Sequence, residues 1–285
     1  MMAMEQRNKS IPIPPILYGT AWKEDETQRL VTQALSLGFA GIDTANQRKH
    51  YFEAGVGLAI QDFLKSSGKT RKDLFLQTKF TSQNGQDARL PYDAFDSLTN
   101  QVKQSLASSL EHLQTDYIDS YILHGPTLSH GIIDADIETW KSMETLAHQG
   151  QVRFLGISNV NIEQIKELYN SASVKPSFIQ NRCFAVSSWD KDVRIFCKKN
   201  NIIYQGFSLL TANQPYILTP NMRTLAKQYN KTIPQIIFRF ALQIGILPLT
   251  GTSNPQHMND DLNINDFELS FEEIEFIENQ GHFNR

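Results

Sequence analysis

Apolar residues in this chain fall in short runs rich in β-branched and aromatic types. Each run is followed by a longer stretch whose apolar positions recur at three- and four-residue steps. The alternation repeats eight times. The runs are Ile16 to Thr20, Gly41 to Ala45, Leu74 to Lys79, Ile118 to His124, Arg153 to Ser158, Ser177 to Gln180, Ile202 to Ser208 and Ile246 to Gly251. Between them, Phe95, Leu98, Val102, Leu106, Leu110 and Leu113 draw one apolar stripe along a predicted helix. Asp25 with Gln28 predicts a capping box, and Gly38 a left-handed stop. Thr232 and Pro234 predict a helix start, with Ile236, Ile237, Phe240, Ala241 and Ile244 on one face and Gly245 at the end.

Strand-then-helix units in series, with no long Pro/Gly/Ser linker, predict one parallel sheet, because parallel neighbours need a helical crossover. Eight such units close into a single (β/α)8 TIM barrel. A doubly wound open sheet is the runner-up, disfavoured by the lack of GxGxxG after the first run. Two further helical segments fit no barrel unit. One spans Pro255 to Leu262, and the other runs from Ser270, paired with Glu273, toward Asn279. The polar residues 1–10 are expected to be a mobile leader, and 11–285 one barrel domain.

Composition narrows the function. The 285 residues hold 27 Lys and Arg against 30 Asp and Glu, a net charge of -3, so no basic field draws a nucleic acid or an anionic membrane. Cys183 and Cys197 are too few for a disulfide framework or a cysteine-rich zinc site, and a reducing, cytoplasmic setting is the default. No window approaches the roughly 18 apolar residues of a membrane helix. Length alone suggests two domains, but barrels reach this size as one.

In a barrel, the C-terminal strand ends build the active site. Here they carry Asp43 and Thr44, Lys79, His124, Ser158 and Asn159, Gln180 and Asn181, Ser208, and Thr250 to Ser253. Each is weak evidence alone. Together, an acid keeps a lysine charged, and a charged lysine lowers the pKa of a nearby phenol, which can then serve as general acid toward a carbonyl oxygen. The stretch after Asp43 supplies such a phenol in Tyr51.

The chain resembles the aldo-keto reductase family over essentially its whole length. The matching segments are LYGTAW, GIDTA, LQTK, DYIDSYILHGP, GISN, Gln180 with Asn181, GFSLL and TGTSNPQHMNDDL, in that order. The resemblance implies a barrel that binds a nicotinamide cofactor across its mouth and reduces an aldehyde or ketone, with no metal. It implies a catalytic set of Asp43, Tyr51, Lys79 and His124. Tyr51 would donate the proton, Lys79 with Asp43 would tune it, and His124 would orient the carbonyl. Ser158, Asn159 and Gln180 would hold the carboxamide, and Phe207 would stack on the ring where relatives have Tyr. Gly19, Thr20, Ala21, Asp43, Ser208, Leu209, Thr250, Gly251, Thr252, Ser253, Asn254, His257, Asp260 and Asp261 complete the expected cofactor set, and Trp22 with His124 the substrate pocket.

Three departures stand out. The usual position of the catalytic Tyr, five residues after the Asp, is Arg48, and Tyr51 lies eight on, which reads as an insertion that leaves His50 and Arg48 as rivals. The lysine and arginine that usually hold the ribose phosphate are Gly251 and His257, so NADP(H) ranks ahead of NAD(H) on family weight only. The chain stops soon after the last helix, so an open pocket is expected, with Trp22, Tyr51, Phe80 and Phe184 as wall candidates. The competing function class is a cofactor-binding or regulatory subunit on the same barrel. An unrelated hydrolase or isomerase ranks last. The partner is a small carbonyl compound, and oligomeric state is not readable.

Overall fold

A computed structural model describes residues 13–282. Residues 1–10, where the leader is expected, lie outside the described residues. Eight parallel strands close into a barrel in chain order. They are β1 (Leu17–Gly19), β2 (Gly41–Asp43), β3 (Phe75–Phe80), β4 (Ile118–Leu123), β5 (Val152–Ser158), β6 (Phe178–Arg182), β7 (Ile203–Phe207) and β8 (Ile246–Thr250). The first six crossovers use α1 (Thr27–Leu37), α2 (Glu53–Ser67), α3 (Leu98–Leu113), α4 (Asp134–His148), α5 (Ile162–Ser171) and α6 (Lys191–Lys199). Three helices separate β7 from β8: α7 (Gln214–Ile217), α8 (Pro220–Gln228) and α9 (Ile233–Gln243). Pro215, Pro220 and Pro234 each sit in a first turn, where a missing N–H costs nothing, and so restart the helix. The extra segments are α10 (Pro255–Leu262) and α11 (Phe271–Asn279). No helix among the described residues is long and apolar enough to cross a membrane.

The barrel interior is layered. Its lower level is apolar, packed from Leu17, Phe75, Ile122, Phe154, Phe178, Leu247 and Leu249. A separate and larger apolar cluster fills the space between strands and helices, as the helix stripes require. Gly156 lets β4 to β6 approach, since a Cβ there would come within 2.3 Å of Ile122 and 2.7 Å of the Phe178 carbonyl oxygen. Above the apolar level the inward positions turn polar. The registers Asp43↔Gln77 and Gln180↔Gln205 bring an acid and three amides to one height.

Local expectations meet mixed outcomes. Gly38 and Gly245 adopt φ of 117° and 82° and end their helices as expected. Thr232 and Ser270 cap α9 and α11 in reciprocal capping boxes. Asp25 caps nothing. It lies in a short 3-10 turn, and the Thr27 hydroxyl donates to the Glu24 carbonyl to start α1. Phe95 leaves the predicted stripe: Ser97 caps α3, and Phe95 stands fully exposed before it. β6 runs two residues past Gln180, because Asn181 and Arg182 continue the ladder with Gly206 and Phe207.

Candidate active site

The inward residues at the C-terminal strand ends open into a cavity of about 600 Å³. At its floor, Lys79 on β3 reaches across to Asp43 on β2. Its ammonium donates to both carboxylate oxygens at 2.7 and 2.8 Å and to the Thr44 carbonyl at 2.8 Å, so all three protons are spent. Burial pushes the Lys79 pKa down, and the Asp43 carboxylate opposes that push. Asp43 Oδ1 also accepts from Gln77 at 2.6 Å and from Gln180 at 3.1 Å. Gln77 and Gln205 exchange reciprocal bonds of 2.9 Å, and Gln180 donates to Gln205 at 2.9 Å. Every charge buried here therefore has partners, which is what lets it remain charged.

Tyr51 and His124 face the cavity above this floor, their rings 6.0 Å apart and edge-on. The Lys79 nitrogen is 5.2 Å from the Tyr51 ring centre. Burial first, then Asp43, push the phenol pKa up. That corrects the expectation of a phenol lowered by Lys79. The carboxylate offsets the ammonium, and desolvation is left to decide the direction. His124 is held near pKa 3 by burial, with Lys79 and His50 adding to the shift, so its imidazole is neutral at physiological pH. Its Nδ1 lies 2.6 Å from the Thr81 hydroxyl. With Thr81 donating, Nε2 carries the hydrogen.

The opposite wall comes from β5 to β7. Ser158 donates to the Gln180 carbonyl at 2.6 Å, and Asn159, at φ 55°, donates to the His124 carbonyl at 2.8 Å. Their side-chain oxygens, that of Gln180 and the ring of Phe207 form the part of the cavity with the chemistry to take a carboxamide-bearing aromatic ring.

Of the expected cofactor set, Gly19, Ala21, Asp43, Ser158, Asn159, Gln180, Phe207, Ser208, Leu209, Thr250, Gly251, Thr252, His257 and Asp261 line the cavity. Thr20, Ser253, Asn254 and Asp260 do not. Thr20 is buried with its hydroxyl on the Asp43 carbonyl. Asn254 caps α10, accepting from Gln256 N at 2.8 Å and His257 N at 3.4 Å, so these first-turn amides are already engaged. Asp261 accepts from the Thr250 hydroxyl at 2.6 Å, and burial raises its carboxyl to about pKa 7. Trp22, 71% exposed, stacks on His50 with ring centres 3.8 Å apart, and both line the mouth. Arg48 turns away over the Phe52 ring. Phe80 is core, packed on Tyr92, and Phe184 lies outside the lining, so neither forms a wall.

Two groups escape sequence reasoning. Gln77 and Gln205 lie inside strands, where only the barrel geometry brings them to Asp43. Lys23, just after Trp22, folds back so that its ammonium donates to the Gly251 carbonyl at 2.7 Å and sits 4.9 Å from the Tyr18 ring centre. It is 8% exposed, and burial lowers its pKa to about 8. The Asp-Glu run after it gave no sign of that return.

A model of the aldo/keto reductase family matches residues 15–280. The chain belongs to that family. Like its relatives, this aldo-keto reductase is an NAD(P)-dependent oxidoreductase on a (β/α)8 barrel. It is 31% identical to a glyoxal reductase of Bacillus subtilis, over 89% of this chain and 83% of the relative. It is 30% identical to an NADPH-dependent alpha-keto amide reductase of Saccharomyces cerevisiae, over 96% and 88%. Among solved structures, an aldo-keto reductase from a Medee basin deep-sea metagenome library superposes with a TM-score of 0.81 at 28% identity, covering 96% of this chain and 93% of that one. A Bombyx mori aldo-keto reductase in complex with NADP gives 0.79 at 26%, over 94% and 89%.

Proposed function

We propose that this aldo-keto reductase reduces a small aldehyde or ketone to an alcohol, using NADP(H) ahead of NAD(H), with Tyr51 as proton donor. The observation that carries the reading is the single cavity in which Tyr51 and His124 overlie the Asp43–Lys79 pair and face Phe207 and Gln180. When bound, the nicotinamide supplies the hydride. This chain's residues do the rest.

A phenol raised by burial is fully protonated at neutral pH and ready to donate. Neutral His124, hydrogen-bonded through Nδ1 to Thr81, offers Nε2–H to the carbonyl oxygen and fixes its approach. The Lys79 ammonium, 5.2 Å from the ring centre, counters the Asp43 charge that opposes a phenolate after donation. Phe207 offers a flat face to the nicotinamide, and the Ser158, Asn159 and Gln180 side chains offer hydrogen bonds to its carboxamide. Lys23, held on the Gly251 carbonyl, supplies the positive charge that positions 251 and 257 lack for the cofactor's phosphates. The glyoxal and keto amide reductases among the relatives support a small, activated carbonyl as substrate.

The test is NADPH oxidation, followed by absorbance, across a panel of small reactive aldehydes. Turnover is expected. Cofactor binding without oxidation of NADPH or NADH would instead favour the non-catalytic subunit on the same barrel.

A further inference from the structure

The ionisable groups that line the cavity are unequal in what they leave free. Asp43 is spent on Lys79, and Asp261 is tied to Thr250. His124 is neutral, and His50 stacks on Trp22 with its Nδ1 2.8 Å from the Gln47 side-chain oxygen. Arg182 is the one lysine or arginine in the lining, and no carboxylate among the described residues pairs with it. Its guanidinium carbon lies 5.7 Å from the centre of the Phe207 ring, and the side chain is exposed to the cavity mouth.

Its position is set by the ladder rather than by a loop. Arg182 pairs with Phe207 in the β6–β7 register, two residues beyond Gln180, so it shares the inward side of β6 with Gln180. β7 stands between it and β8, which puts it on the side of the mouth where Gln180 and Phe207 face Tyr51, away from the Gly251 loop and Lys23. A planar, permanently charged fork without a counter-ion matches a carboxylate in shape and charge.

We propose that Arg182 selects carbonyl substrates that carry a carboxylate, holding that group while the carbonyl meets Tyr51 and His124. The proposal rests on the reductase reading above and names the substrate class of that site. In the overall reaction the carbonyl carbon gains a hydride from the reduced nicotinamide, the oxygen gains a proton, and the carboxylate is unchanged.

The test compares 4-formylbenzoate with its neutral methyl ester under NADPH, in wild type, R182Q and R182K, and adds NADPH titration by tryptophan fluorescence. The wild-type ratio of kcat/KM, acid over ester, is expected to be about tenfold and to lie mainly in KM, a size limited by the exposure of the guanidinium. R182Q is expected to bring the ratio to near one, and R182K to restore part of it, while NADPH affinity stays within about twofold. A wild-type ratio near one, with both aldehydes reduced, overturns the proposal and leaves the reductase reading intact. A ratio that R182Q does not change also overturns it. Equal losses on both substrates with weakened NADPH binding assign Arg182 to the cofactor's phosphates instead. If wild type reduces neither aldehyde, the reductase reading falls and the proposal with it.

Discussion

On the β2–β3 side of the mouth, Lys79 commits three protons to Asp43 and Thr44, and two glutamines donate to the same carboxylate oxygen. On the β8 side, Lys23 rests on one carbonyl, His257 is exposed, and Asn254 already occupies the amides that open α10. The first wall is over-determined and buried, so its geometry is set before any ligand arrives. Behind the second, Lys23 is a buried cation with no carboxylate partner among the described residues, a state that desolvation penalises and that a nearby bound anion would relieve. Charge that is already paired positions a reacting group. Charge held in reserve recruits a ligand.

The sharpest way to break this contrast is at the phenol. Tyr51→Phe is expected to lower kcat by about 10²- to 10⁴-fold, the usual worth of a general acid, with NADPH binding by fluorescence titration nearly unchanged. Normal turnover would remove Tyr51 from its proposed role. The support beneath it comes next. Gln77→Leu takes one donor from Asp43 and leaves the Gln205 amide nitrogen without its partner, while Gln180 still donates to the Gln205 oxygen, so unfolding in urea should show a loss of about 2 kcal/mol. A loss below about 0.5 kcal/mol would mean that the amides merely fill space.

Lys23 tests the other wall. Lys23→Met should weaken NADPH binding about tenfold at pH 7. Because its pKa is lowered to about 8, the ammonium is charged below that pH and neutral above it, so wild-type affinity should fall as pH rises through 8. The variant should show no such step, and the two curves should converge at high pH. Parallel curves would assign the charge elsewhere. The sign for stability is opposite: from about pH 8 toward 10.5 the unfolded chain holds a proton that the folded chain has released, so the ligand-free protein gains stability as pH rises. The smallest effect is at the ring. Phe207→Tyr should change cofactor affinity by less than about threefold, since stacking needs the face and not the hydroxyl.

The fold was legible wherever one face of an element is buried. The eight runs became the eight strands because inward and outward positions alternate against two apolar regions. Phe95 misled because a stripe fixes a helix's face and not its first residue, which the Ser97 cap decides. The helix opened at Thr232 forms as expected, but α7 and α8 precede it in the same crossover, each with a proline in its first turn, and were not read from the sequence. At the site, Asp43, Lys79, Tyr51 and His124 could be proposed together because each ends or follows a strand. Gln77, Gln205 and Lys23 could not, because their partners lie more than one hundred residues away on other elements, or, for Gln77 and Asp43, on a neighbouring strand whose register the sequence does not display.

Gln77 and Gln205 also span the barrel. In the closed ring three strands separate β3 from β7 in either direction, so the reciprocal amide pair runs across the bore from one wall to the wall facing it. It works as a tie rod. Its length is that of two glutamine side chains joined end to end by a pair of parallel hydrogen bonds, and it braces the strand that carries Lys79 against the strand that ends in Phe207. The bore is thereby held to one calibre at the level of Asp43, and loops above it can lengthen without altering the span between the wall that carries Tyr51 and the wall that carries Phe207.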